Sequence, residues 1–166
     1  MTDITVVTVA EAGLTRAGLH RSSSITYISG TGTAGADNTA QTVVSVTLPA
    51  NTMIQNGDRL RLHAMWAGST GTAVTGTIKI NGVTVSNTTD AGAATWQVNE
   101  AWLHYIDATH ANIIEVESGA LGDLCAANVA GFTWTADQTI LISQDQIANN
   151  HIVVYALIVD VFPKGG

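Results

Sequence analysis

Between Thr42 and Val85 the chain alternates. Val44, Val46 and Leu48 are separated by Ser45 and Thr47, and Leu60, Leu62 and Ala64 by Arg61 and His63, with Arg59 ahead of them. A period of two puts one set of side chains on a dry face and the other on a wet face, which predicts strands. Pro49 and Asn56-Gly57-Asp58 punctuate the gap between these two strands. Further on, Ile78-Lys79-Ile80 and Val83-Thr84-Val85 flank Asn81-Gly82. That dipeptide predicts a β-hairpin, because a type I′ turn needs positive φ at both central positions.

The rest of the chain extends the pattern. Ile4 to Val9 is a β-branched run that predicts an edge strand or an extended arm. Glu11 to Ser23 lacks a clear period and reads as a loop or a single helical turn. Strands are expected at Ser24 to Ile28, Val98 to Asp107, Asn112 to Glu117 and Thr139 to Ser143. In the third of these, Glu115 and Glu117 are assigned to the wet face. Leu124 to Thr135 supplies one or two weaker strands. Gly30 to Gln41, Gly68 to Ala73 and Ser86 to Thr95 are small-residue stretches read as loops. His151 to Phe162 is the longest strand and is nearly continuous in apolar residues. An apolar run on both parities predicts a central strand whose outer face is covered, by a partner subunit or by the N-terminal arm. About ten strands and no helix of helical period argue for a β-sandwich or barrel. The expected organisation is an N-terminal arm or edge strand, Met1 to Ser23, and one β-sandwich, Ser24 to Gly166.

Composition adds a surface. At 166 residues the chain is one domain with room for a core. Charged residues are only 11% against a usual ~25%, and hydrophobic residues are 46%. Such a surface is cheap to desolvate, which points to an oligomer or a lattice protein. No apolar run approaches the ~18 residues of a membrane helix, so no membrane partner is expected. Net charge is −7, and the six cations Arg16, Arg21, Arg59, Arg61, Lys79 and Lys164 are scattered. A nucleic-acid partner would need them gathered into a basic patch. The single cysteine, Cys125, excludes an internal disulfide and fits manufacture in a reducing cytoplasm. It is read as a small buried hydrophobe. The N-terminus has no basic segment followed by an apolar one, so export is not expected.

Catalytic chemistry finds no support in the residues. There is no G-x-S-x-G elbow and no phosphate loop ending in Lys. His104, Asp107 and His110, with Glu115 and Glu117 downstream, form the one potential metal cluster. Their spacing matches no metal motif, and they read as polar residues at a strand end, so no metal or other cofactor is assigned. Of the four tryptophans, Trp66 and Trp102 sit in strands and are expected to pack. Trp96 follows a Gly/Ala stretch and is the candidate for contact with a glycan.

The segment Leu48 to Leu62 (L-P-A-N-T-M-I-Q-N-G-D-R-L-R-L), the I-K-I-N-G-V-T-V hairpin, W-Q-V-N-E-A-W-L at Trp96 to Leu103 and the last strand ending in Val159-Asp160-Val161 together resemble the jelly-roll domains of tailed-bacteriophage virion proteins. The resemblance spans Thr42 to Phe162. It implies an all-β, jelly-roll-like sandwich of two antiparallel sheets that assembles as a homotrimer and is not an enzyme. It further implies a capsid decoration (cement) protein on the virion exterior, made in the host cytoplasm, with the major capsid protein as partner. The alternative it leaves is a receptor- or carbohydrate-binding domain of a tail fibre or spike. The shortness of the segment before the motif favours decoration. In that reading the arm makes the capsid contact, Ile4 and Val6 adding a strand and Arg16 and Arg21 pairing with acidic groups.

Overall fold

The computed structural model describes residues 6–7, 23–69, 72–90, 96–117, 125–145 and 150–164. Eleven strands are present among them: β1 (Val6–Val7), β2 (Ser23–Ala34), β3 (Gln41–Leu48), β4 (Arg59–Gly68), β5 (Val74–Ile80), β6 (Val83–Asp90), β7 (Trp96–Tyr105), β8 (His110–Glu117), β9 (Cys125–Ala130), β10 (Gln138–Gln144) and β11 (Ile152–Phe162). One sheet has the order β1-β2-β11-β4-β7-β8-β9 and the other β3-β10-β5-β6. All pairings are antiparallel. The mates β2·β11, β3·β10, β4·β7 and β5·β6 nest one inside another, which is the wrapping of a jelly roll. The β8–β9 meander and the short β1 widen one sheet at its two edges.

The alternating strands behave as their period requires. Leu60, Leu62, Ala64 and Trp66 of β4 face inward, as do Ile78 and Ile80 of β5 and Ile140 and Ile142 of β10, all buried. Each such Leu or Ile contributes roughly 1.5–3 kcal/mol of burial. Phe132 and Trp134, in the connection after β9, stack 4.8 Å apart at one end of this core. The Asn81-Gly82 turn has φ of 47° and 86°, as the hairpin signal requires. It also reaches the next strand, since Asn81 Oδ1 accepts from the Thr139 amide at 2.9 Å.

The connection between β3 and β4 is a folding device. Met53 is fully buried. Asp58, only 2% exposed, accepts from the amides of Ile54 (2.9 Å), Gln55 (3.0 Å) and Lys164 (2.8 Å). One carboxylate thus closes the β3–β4 connection and ties down the chain beyond β11.

Four sequence expectations are corrected. Strand β2 runs on through the Gly/Thr stretch to Ala34, so the loop read at Gly30 to Gln41 shrinks to 35–40. Pairing of Thr33 and Ala34 with Val154 and Val153 supplies the order that apolar anchors do not. Strand β6 continues to Asp90 through the stretch read as a loop, because β5 pairs with it along its whole length. Glu115 is buried, not wet: it shares its face with Ala101 and Leu103 of β7, and Ile114 and Val116 point outward instead. Strand β8 is apolar on both parities, so its own sequence leaves the face undecided. The buried carboxylate accepts from the Asn87 amide of β6 at 2.6 Å, which satisfies one amide on that edge strand. Cys125 is exposed, because it opens β9, which among the described residues has a sheet partner on one side only.

Candidate functional site: the outer face of the larger sheet

Sheet pairing aligns the outward residues of β2, β11, β4, β7 and β8 into rows. One row runs Ile28, Ala156, Met65, Val98; the next runs Ala34, Val153, Ala67, Trp96. Beyond them Ile158, His63, Glu100 and Val116 line up, then Asp160, Arg61, Trp102 and Ile114. Large apolar side chains stay exposed across this face: Ile28 at 58%, Trp96 at 59% and Val116 at 48%, with Met65 and Ile114 somewhat less. The central position expected for the last strand is correct: β11 lies between β2 and β4. Part of its outer cover comes from its own sheet, since Trp96 packs on Tyr155 at 4.5 Å and Trp102 stacks on Phe162 at 5.4 Å.

Trp96 is exposed, as its candidate role requires, and it is held in place. Tyr155 stands at a bulge in β11 and lies over Gly32, where a Cβ would come within 3.0 Å of its ring. Gly32 has φ +76°, so that position is doubly restricted to glycine. The neighbours of Trp96 in its row are Ala67, Val153 and Ala34, none with a hydrogen-bonding side chain. Trp102, expected to pack, is half-buried on this same outer face.

Most of the charge on the face is gathered into one network, while Arg59 lies apart from it, over the Phe162 ring at 6.0 Å. Arg61 donates to Glu100 at 2.6 Å, lies 3.8 Å from Asp160, and sits over the Trp102 ring at 5.7 Å. Trp102 Nε1 donates to the other Glu100 oxygen at 2.8 Å, and His63 Nδ1 lies 3.4 Å away from that carboxylate. The hydrogen bond from Arg61 holds the Glu100 carboxyl below its ordinary value despite its partial burial, with Trp102 adding to the effect. The same bond raises the Arg61 guanidinium further.

The His104, Asp107 and His110 cluster resolves into a turn. Asp107 Oδ1 accepts from the amides of Thr109 (2.8 Å) and His110 (2.9 Å) and lies 2.9 Å from the His110 ring. These contacts, the Thr109 amide foremost, lower Asp107 to about 2. His104 stands beside Arg59 and Asn112. Among the described residues no three His, Cys, Asp or Glu side chains gather as metal ligands.

A second polar cluster escaped the sequence, because its members are far apart in the chain. Ser69 Oγ is 3.2 Å from His151 Nδ1, which is 2.7 Å from Asp37 Oδ1. The hydroxyl and the carboxylate meet the same ring nitrogen. A nucleophilic triad needs the imidazole to bridge them with its two nitrogens, which this arrangement does not do. Asn150 completes it, accepting from the Ser69 amide and hydroxyl at 2.9 Å each.

Of the residues assigned to the arm, Val6 pairs with Tyr27 at the edge of the larger sheet. Ile4, Arg16 and Arg21 lie outside the described residues.

No family model and no curated protein matches the chain. Among solved structures it is similar to the CBM36-1 domain of a multidomain xylanase from the hindgut metagenome of Trinervitermes trinervoides. That likeness has a TM-score of 0.38 at 11% identity and covers 87% of this chain and 100% of the other. At that score it carries no functional argument.

Proposed function

We propose that this chain is a non-enzymatic structural protein of a bacteriophage virion, a homotrimeric decoration protein on the capsid exterior. The observation that carries the reading is a jelly roll whose larger sheet presents an open, mostly apolar outer face on a chain with little charge. A decoration protein works by multiplying contacts. Once one subunit of a trimer is seated, the next contact is intramolecular, and avidity exceeds single-site affinity by ~10²–10⁴. No covalent chemistry is needed. The test uses undecorated phage heads and the purified chain. Saturable co-sedimentation and a raised resistance of the heads to heat or osmotic shock support the proposal. Heads that bind none of the protein, or bind it with no gain in resistance, refute it.

Exposed Trp96, packed on half-buried Tyr155, favours a second reading, a tail fibre or spike domain that stacks a saccharide ring on the indole. Glycan-array binding by the wild type that is lost in Trp96→Ala decides for that alternative.

A further inference from the structure

We infer that the outer face of the seven-stranded sheet is the surface through which copies of this chain contact one another. The inference rests on the proposed trimer and assigns its interface.

Charge restricts the choice of contact. Each copy carries −7, so two copies repel unless they meet where acidic groups are absent or already neutralised. On this face the two central acids, Glu100 and Asp160, both lie against Arg61. The rows through Ile28 and Met65 and through Val153 and Trp96 contain no charged side chain. The outer face of the smaller sheet differs in kind: Ser45, Thr47, Thr139 and Thr89 stand on it, and they lose hydration if covered.

Size agrees. Strands β4 and β7 are each 10 residues long. Five strands about 4.8 Å apart, with a rise of ~3.3 Å per residue, give a face of roughly 24 by 33 Å, or about 800 Å². In a trimer this face is shared between two neighbours, about 400 Å² for each, so the three subunits together bury roughly 2,400 Å² around the axis, against the ~1,600 Å² of a single standard interface. The composition also fits, since the centre of an interface is enriched in Trp, Tyr and Met and depleted of unpaired charge. The same apolar surroundings that leave Trp96 without polar neighbours in its row make it an anchor for a second protein surface.

The test is sedimentation equilibrium of the full chain at micromolar concentration. The wild type is expected to be a trimer. Met65→Lys, which places an unpaired charge at the centre of the face, is expected to weaken self-association at least ~30-fold, the scale of losing one hot spot. Ile28→Lys, at a more exposed position, keeps the test valid if Met65→Lys disturbs the far-UV CD spectrum. Thr47→Lys, on the smaller sheet, is expected to leave the trimer intact. A monomeric wild type overturns the inference. So does a trimer that survives Met65→Lys and Ile28→Lys, or one that Thr47→Lys dissociates. Binding to phage heads, measured in parallel, separates this from the functional proposal. Heads that bind the protein while Met65→Lys stays trimeric refute the interface alone. A trimer dissociated by Met65→Lys, from a wild type that binds no heads, refutes decoration alone.

Discussion

Replacing Gly76 by alanine tests how tightly the two sheets are fitted. A Cβ at Gly76 would lie 2.6 Å from Cε2, 2.7 Å from Cζ2 and 2.9 Å from Nε1 of Trp66. The indole cannot withdraw without loss. It is 1% exposed, and its Nε1 donates to Asn99 at 2.8 Å, which in turn donates to Ser86 at 2.9 Å. Overpacking of this kind costs ~1–3 kcal/mol. The reduced freedom of the unfolded chain offsets ~0.4–1 kcal/mol of that. The net expectation is a loss of about 1.5 kcal/mol, which lowers Tm by ~3–6 °C in a domain of this size. Thermal unfolding followed by CD reads this directly. The companion variant Trp66→Phe should be less harmful in the Gly76→Ala background than in the wild type, because the smaller ring makes room for the methyl. Gly82→Ala is the contrast: a Cβ there meets nothing within 4 Å, but φ is +86°. Its loss of ~1 kcal/mol comes from the backbone and is indifferent to Trp66→Phe. An unchanged or higher Tm for Gly76→Ala, or effects that simply add with Trp66→Phe, would refute the argument.

Removing the Asp58 carboxylate (Asp58→Ala) deprives three amides of a charged acceptor, and a fall of ~3 kcal/mol in urea unfolding is expected. Glu115→Leu deprives the part-buried Asn87 amide of its charged acceptor and should cost ~1–3 kcal/mol, whereas Glu115→Gln, which keeps an acceptor, should cost less than half as much. Acid should weaken the fold through Glu100 and Asp107, because both ionise at lower pH when folded than when unfolded. Their stabilisation is therefore complete above the ordinary carboxyl range and is lost as pH falls through the folded values. Melting profiles of Asp107→Asn should be flatter than the wild type between its ordinary value of 3.8 and about 2, and an identical slope would rule out Asp107 as a contributor.

The strands of this protein were written locally. The alternation at Val44 to Leu48 and Leu60 to Ala64, and the turn at Asn81-Gly82, depend on side-chain parity and on φ, both properties of neighbouring residues. Those elements appear where the sequence places them, and so does the long central strand β11. The exposure of Trp96 was legible too, because an indole beside a small-residue stretch has little to cover it. What the chain alone left open was everything that pairing decides. Gly30 to Ala34 and Ser86 to Asp90 carry few apolar side chains, and their strands exist because β11 and β5 offer backbone partners. The face of β8 was undecidable, since Ile113 competes with Ile114 and Val116, and only the register against β7 turned Glu115 inward to the Asn87 amide. The Ser69–His151–Asp37 cluster and the charged network around Arg61 join residues from different strands and loops. The open apolar face is likewise a sum over five strands, no two of which are neighbours in both sequence and sheet except β7 and β8. A one-dimensional pattern fixes which side chains share a side of their own strand; the wrapping of the jelly roll decides which strands lie side by side, and so which side chains make a surface.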